Sequence, residues 1–234
     1  MNHSSRKFIT AITPVIGMLV VICLFAASAP LQGTIAPTTI PTVSVKDTAQ
    51  TYEIDDTHSM ALFRVQHLGA GAFWGLFNDV SGTVRCAPDA ELFLDVTINA
   101  DSVDSNNAKL DRHLKSPDFF NTKEFPTMSF RSVSAKPLGG GKYLVTGDLT
   151  IRGITKSITT PVECTGIADM GSGARAGFEA VLTIKRSDFG VQYGVEKKMI
   201  GDETRIIVAI EGVQAKAAND ANDAKPANDP DTKK

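Results

Sequence analysis

The chain has 234 residues, a formal charge of -2, and 42% hydrophobic and 21% charged side chains, the balance of a chain able to bury a core. It carries no basic excess with which to displace counterions from a polyanion, and this excludes nucleic acid as a partner class. Its three cysteines, Cys23, Cys86 and Cys164, form no CxxC spacing, and no HxH accompanies them, so no metal site is expected.

The N-terminus opens with Arg6 and Lys7, followed by a stretch from Phe8 to Ala27 without a charge, and then by Ala27-Ser28-Ala29. A basic start, an apolar run and small residues read as a secretory signal peptide. An apolar run of this length also satisfies a retained membrane anchor, and Pro30 directly after the small residues counts against cleavage. Residues 1–29 are therefore either a signal peptide or an anchor; both place the rest of the chain outside the cytoplasm, periplasmic or otherwise exported. Ile22 before Cys23 argues against lipoprotein processing. Residues 30–50 are rich in Pro and Thr without an apolar period and read as an extended linker.

From residue 51 to 213 the hydrophobic period is 2. Ala61, Phe63 and Val65 alternate with Leu62, Arg64 and Gln66; Leu92, Leu94, Val96 and Ile98 alternate with Phe93, Asp95 and Thr97. The same holds for Phe178, Ala180, Leu182 and Ile184, and for Ile206, Val208 and Ile210. Successive strand side chains point to opposite faces, so each segment presents one apolar face inward. Turn signals stand between them at Gly69-Ala70-Gly71, Pro88-Asp89, Gly139-Gly140-Gly141, Arg152-Gly153 and Gly171-Ser172-Gly173. These divide the chain into strands at 51–55, 59–68, 73–86, 91–99, 127–136, 142–152, 155–164 and 175–185, with a further one at 203–213. So many antiparallel strands make a sandwich or a barrel, and periodicity does not choose between them.

One segment departs from the period. Residues 105–116 (SNNAKLDRHLKS) place Leu110 and Leu114 four apart behind Ser105, a suitable N-cap, and before Pro117, which stops a helix. A short helix is expected there. Residues 214–234, with AND repeated three times among Ala, Lys and Pro, cannot bury enough apolar area to form a core and are expected to be disordered. Cys86 and Cys164 each look placed just past a strand end, where they could pair in an oxidising compartment or equally stay apart.

Chemistry-bearing residues are sparse. Histidine is the residue type suited to acid/base work near neutral pH, and the chain offers His58, His67 and His113, but no nucleophile elbow, HExxH or paired-carboxylate pattern accompanies them, and no catalytic residue is expected. His58 is assigned to fixing the start of a strand and His113 to an exposed helix face. Arg64, Arg112 and Arg186 could meet an anionic head group but fit a solvated surface better.

Five clusters carry more information than their composition. They are Ile54-Asp55-Asp56-Thr57-His58-Ser59 leading to Phe63-Arg64-Val65-Gln66-His67-Leu68; Gly75-Leu76-Phe77-Asn78-Asp79-Val80-Ser81-Gly82; Asp111-Arg112-His113-Leu114-Lys115-Ser116-Pro117-Asp118-Phe119-Phe120-Asn121 with Phe125-Pro126-Thr127-Met128-Ser129-Phe130; Gly147-Asp148-Leu149-Thr150-Ile151-Arg152-Gly153-Ile154-Thr155-Lys156; and Arg186-Ser187-Asp188-Phe189-Gly190. In this order they resemble the YceI-like family of exported polyisoprenoid-binding proteins. The resemblance implies an all-β, antiparallel, eight-stranded lipocalin-like barrel with one short inserted helix over residues 51–213. It implies a channel for a bound isoprenoid or fatty-acid-like lipid, with no cofactor and no catalysis. Candidate liners are Phe63, Val65, His67, Phe73, Phe77, Leu94, Val96, Phe130, Leu149, Phe178, Leu182 and Val208. A flexible apolar chain has no directional groups, so selection must come from the length and width of such a channel. An enzyme acting on such a lipid, a ligand-free interaction module, a membrane tether through the N-terminal segment and a homodimer stay open.

Overall fold

The computed structural model describes residues 49–215 except Ser172. The expected signal or anchor, nearly all of the linker and all but the first two residues of the low-complexity tail lie outside these residues; Gln214, expected to be disordered, is the last residue of a strand, and Ala215 N–H donates to Thr51 O at 2.9 Å. Among the described residues no helix is long and apolar enough to cross a membrane.

The described residues form eleven strands: β1 (Gln50–Ile54), β2 (Met60–His67), β3 (Gly71–Phe77), β4 (Val80–Ala87), β5 (Glu91–Asn99), β6 (Val103–Asp104), β7 (Thr127–Gly139), β8 (Lys142–Ile151), β9 (Ile154–Asp169), β10 (Ala174–Lys185) and β11 (Ile200–Gln214). All pairings are antiparallel, and the sheet closes on itself through β1 and β11, Tyr52 lying opposite Gln214. β1 and β2 follow one another along the same edge of β11 and count as one interrupted stave; β3 and β4 form another. Eight staves thus close an up-and-down barrel, the size whose interior holds one small ligand. The choice between sandwich and barrel falls to the barrel.

The interruptions have local causes. Between β1 and β2 the chain makes a single 3-10 turn, Asp56–His58, with Asp55 accepting from Thr57 N–H at 3.1 Å. Here the Glu211 N–H of β11 would lose its ladder partner, and the Ser59 hydroxyl replaces it, Glu211 N–H donating to Ser59 Oγ at 3.0 Å, while Glu211 O accepts from Asp55 N–H at 2.8 Å and from Ser59 Oγ at 3.3 Å. The single strand expected at 73–86 is broken at Asn78-Asp79. Asn99 N–H donates to Asp79 O and the Asn99 amide to the Asp79 carboxylate, so that turn is held from β5. β3 swings away from β5 and pairs instead with the short β6 at Leu76 and Phe77.

The helix, α1, spans Ala108–Leu114, shorter than expected, and its N-cap is Asn107 rather than Ser105. Asn107 Oδ1 accepts from the backbone N–H groups of Lys109 and Leu110, both at 3.1 Å, meeting two otherwise open donors. Ser105 bonds to the Asp111 carboxylate instead. β9 continues to Asp169, past the expected end at residue 164, so Cys164 sits within a strand and not beyond one. Cys86 and Cys164 are free thiols in this structure.

The hairpins at 87–91, 139–142 and 169–174 gather at one end of the barrel; the 67–71 and 151–154 hairpins and the segments 100–126 and 186–199 gather at the other. The first end is packed shut. Tyr52, Val84, Cys86, Leu92, Tyr143 and Val145 are buried there in one cluster. Asp89 N–H donates to Tyr143 Oη at 2.9 Å, and the same hydroxyl donates to Ala87 O at 3.2 Å, tying two hairpins across the closure. Burial pushes the Tyr52 phenol and the Cys86 thiol up to about 12, so both are neutral fillers of this end.

Candidate functional site

Toward the other end the interior is not filled. A cavity of about 480 Å³ runs down the barrel from that mouth, and its wall is formed by inward side chains of the staves with contributions from α1 and the 186–199 segment. This lies within the usual size of small-molecule sites.

The period-2 pattern is what builds the wall. In β2, Ala61, Phe63 and Val65 face in; they sit beside Phe77, Gly75 and Phe73 of β3 and beside Val208, Ile206 and Thr204 of β11. Two glycines set its width. A Cβ on Gly75 would lie 2.4 Å from Cζ of Phe63, and one on Gly147 would lie 2.6 Å from Cζ of Phe130 and 2.5 Å from the Arg131 carbonyl oxygen. Both phenylalanine rings therefore lie flat across a neighbouring strand, leaving the centre of the barrel clear.

All twelve residues proposed from the sequence lie in the cavity wall: Phe63, Val65, His67, Phe73, Phe77, Leu94, Val96, Phe130, Leu149, Phe178, Leu182 and Val208. Phe63 is the centre of an aromatic group, with ring centroids 5.6 Å from Phe77, 6.1 Å from Phe73 and 6.0 Å from Phe120.

Sequence reasoning missed the contribution of the two mouth segments. Leu110, His113, Leu114, Phe119 and Phe120 enter the wall from the α1 segment, and Phe189, Val191, Tyr193 and Met199 from the 186–199 segment, with Ile200 at the start of β11. Neither segment has a period that would aim it at a barrel interior; the one hint was the Asp118-Phe119-Phe120 run. His113, expected to be an exposed helix residue, is half-buried at the mouth. Its ring meets Phe119 and Tyr193 edge-on, both at 5.0 Å, and its Nε2 lies 2.9 Å from Asp118 Oδ2.

Arg186 is the second correction. It is neither solvated nor facing a ligand with open donors, but buried in a cage of carbonyls. Nε donates to Gly201 O at 2.7 Å, Nη1 to Val191 O at 2.9 Å, and Nη2 to Tyr193 O and Ile200 O, both at 2.9 Å. Burial lowers its pKa, and the nearby Asp202 charge opposes that. Arg152 does related work: its Nη1 donates to the carbonyls of Pro117, Phe119 and Gly190, joining the two mouth segments. Five-donor guanidinium groups suit such multi-carbonyl anchoring. Arg64 and Arg112 lie outside the wall.

His58, Asp55 and Glu211 bring three possible metal donors within 4.8 Å of one another at the break between β1 and β2. A guanidinium already occupies this charge: Arg175 Nη1 donates to Asp55 Oδ2 at 2.9 Å and to Glu211 Oε1. The bonds from His58 and Arg175 hold the Asp55 carboxyl down at about 2. A cation would have to displace Arg175, and the cluster reads as a latch on the strand break.

The remaining polar wall residues are few. Ser129, Thr160, Glu179 and Thr204 punctuate a surface otherwise of hydrocarbon below the mouth. Thr204 is buried, and its hydroxyl makes no hydrogen bond within the described protein.

Comparison with known proteins agrees with this architecture. A family model described as the YceI-like domain matches residues 52–212. Protein YceI of Escherichia coli O157:H7 is 40% identical over 174 residues, covering 72% of this chain and 89% of the relative. Among solved structures, Burkholderia cenocepacia BcnA superposes with a TM-score of 0.60 at 28% identity, covering 68% of this chain and 98% of that one. A Campylobacter jejuni YceI protein gives 0.59 at 32% identity, covering 65% and 90%. A polyisoprenoid-binding domain from Saccharophagus degradans shares the fold at 15% identity, with a TM-score of 0.55 over 71% of this chain and 99% of that one. With the closed barrel, its inward aromatic wall and its matching span in hand, the chain belongs to the YceI-like family.

Proposed function

We propose that the domain encloses a long apolar lipid of the polyisoprenoid class and carries or stores it outside the cytoplasm, without chemical conversion. The observation that carries this reading is the cavity itself: one sealed end, one mouth, and a hydrocarbon wall supplied by every stave. Burying a prenyl chain in such a wall is favoured by roughly 25 cal/mol per Å² of apolar surface, before the cost of ordering the chain is subtracted. The polar groups at the mouth favour binding over catalysis, since Arg186 is committed to four carbonyls and His113 to Asp118. The name of the Saccharophagus degradans domain points to the same ligand class for this fold. The basic start and apolar run of residues 6–27 support export, by cleavage or by tethering.

The test is an organic extract of the purified protein analysed by mass spectrometry, together with uptake of an added fluorescent polyprenol. Val208 is flanked by Ala61 and Ala180, so Val208→Trp projects an indole across the cavity at a place where its neighbours are small. The variant is expected to keep its circular dichroism spectrum and lose the lipid. Parent protein that neither carries nor takes up a lipid, or a variant that holds as much as the parent, would overturn the reading.

A further inference from the structure

The rim of the cavity exposes apolar side chains to water. Leu68 is 60% exposed, Tyr193 41% and Met199 40%, and all three stand at the mouth. They are held there by main-chain bonds: Leu68 N–H donates to Met199 O at 2.7 Å, and Met199 N–H to Gly194 O at 2.9 Å. Leu68 also sits at φ +51°, a conformation unfavourable for a bulky residue, so its outward position costs the turn something and gains it no burial.

Charge is distributed unevenly in the same direction. The segments at the mouth, 67–71, 100–126, 151–154 and 186–199, carry eight Lys and Arg against seven Asp and Glu, whereas the rest of residues 49–215 carry nine against fourteen. Lys197 and Lys198 are exposed directly beside Met199, and Lys109 and Arg112 are exposed on α1. The mouth is thus close to neutral on an otherwise acidic barrel, with Lys197 and Lys198 its exposed cations nearest the apolar rim. Exposed apolar side chains beside exposed cations match the interface of an anionic bilayer, where the apolar groups enter the acyl boundary and the cations stay among the head groups.

We propose that this end docks on an anionic membrane surface, Leu68, Tyr193 and Met199 entering the lipid so that the cavity opens onto the bilayer interior. The proposal rests on the reading that the cavity holds a membrane lipid, and it explains how such a lipid would enter. A prenyl chain leaving a bilayer through water exposes every methylene; a chain sliding from bilayer into a docked cavity exposes few.

The experiment uses the full chain and two variants that alter neither the cavity wall nor the latch, Leu68→Glu and Lys197→Glu/Lys198→Glu. Two things are measured. One is flotation with phosphatidylcholine vesicles, with and without phosphatidylglycerol. The other is the rate at which a fluorescent polyprenol passes from those vesicles to the protein, with uptake from cyclodextrin as the membrane-free control. Phosphatidylglycerol is expected to raise both flotation and transfer rate of the parent by roughly tenfold, and each variant to lose most of that increment. Uptake from cyclodextrin should be the same in all three proteins. Flotation and transfer indifferent to phosphatidylglycerol, or variants equal to the parent, would overturn the docking. A parent that takes no polyprenol even from cyclodextrin, yet floats in the anionic-dependent manner that the variants lose, upholds the docking and removes the ligand reading.

Discussion

Two glycines of the cavity wall offer a quantitative check on how the barrel keeps its interior clear. Replacing Gly75 by Ala sets a Cβ 2.4 Å from Cζ and 2.8 Å from Cε1 of Phe63. The obstacle is the tip of a side chain with an open cavity beside it, so the ring can swing inward. Overpacking costs about 1–3 kcal/mol, offset by about 0.4–1 kcal/mol from the smaller entropy of the unfolded chain, leaving a net loss near 1 kcal/mol. Replacing Gly147 by Ala also meets a ring, Phe130, but sets its Cβ 2.5 Å from the carbonyl oxygen of Arg131, which belongs to the neighbouring strand and cannot rotate away. That loss should reach about 3 kcal/mol or more. Urea unfolding followed by the single tryptophan, Trp74, separates the two. With m of roughly 1–3 kcal/mol per M, a difference of about 2 kcal/mol places the Gly147→Ala midpoint roughly 1 M below that of Gly75→Ala. Gly75→Ala should also weaken uptake of an apolar probe, because the displaced ring now occupies the cavity. The double variant Gly75→Ala/Phe63→Leu should be no less stable than Phe63→Leu, since the colliding ring tip is gone. Equal costs for the two glycines, or additive effects of Gly75→Ala and Phe63→Leu, would refute the reasoning.

Three further outcomes follow from the polar groups. Asp55 is held at about 2 against an ordinary value near 3.9, so its stabilisation is present above pH ~4 and is lost as pH falls toward 2; Asp55→Asn should lower the unfolding free energy measured in urea by about 1–3 kcal/mol near neutral pH, with the two proteins converging at about pH 2. Arg186→Met strips the donors from four carbonyls and is expected to cost about 3–5 kcal/mol, seen as faster hydrogen exchange across residues 186–201. Thr204→Val removes a buried hydroxyl that has no partner and should stabilise the protein by roughly 1 kcal/mol, read as a higher thermal midpoint.

The strands and their inward faces were legible in the amino-acid sequence because a period of 2 depends only on local backbone geometry. Phe63 and Val65, or Leu94 and Val96, needed no tertiary contact to be assigned to one face, and every residue proposed for the wall is in it. The motif clusters supplied the family and, through it, the closed barrel. Long-range contacts decided the rest. Closure rests on hydrogen bonds between β1 and β11, which lie at opposite ends of the domain and share no local signal. The break at Asn78-Asp79 depends on Asn99, on the next strand, capturing Asp79. His113 and Tyr193 meet at the mouth only because Arg152 and Arg186 anchor their segments through carbonyl oxygens, groups every residue possesses and no sequence pattern displays. The amino-acid sequence thus determined which side chains face inward, while the tertiary structure alone decided how wide the interior is, which end is shut, and what stands around the open one.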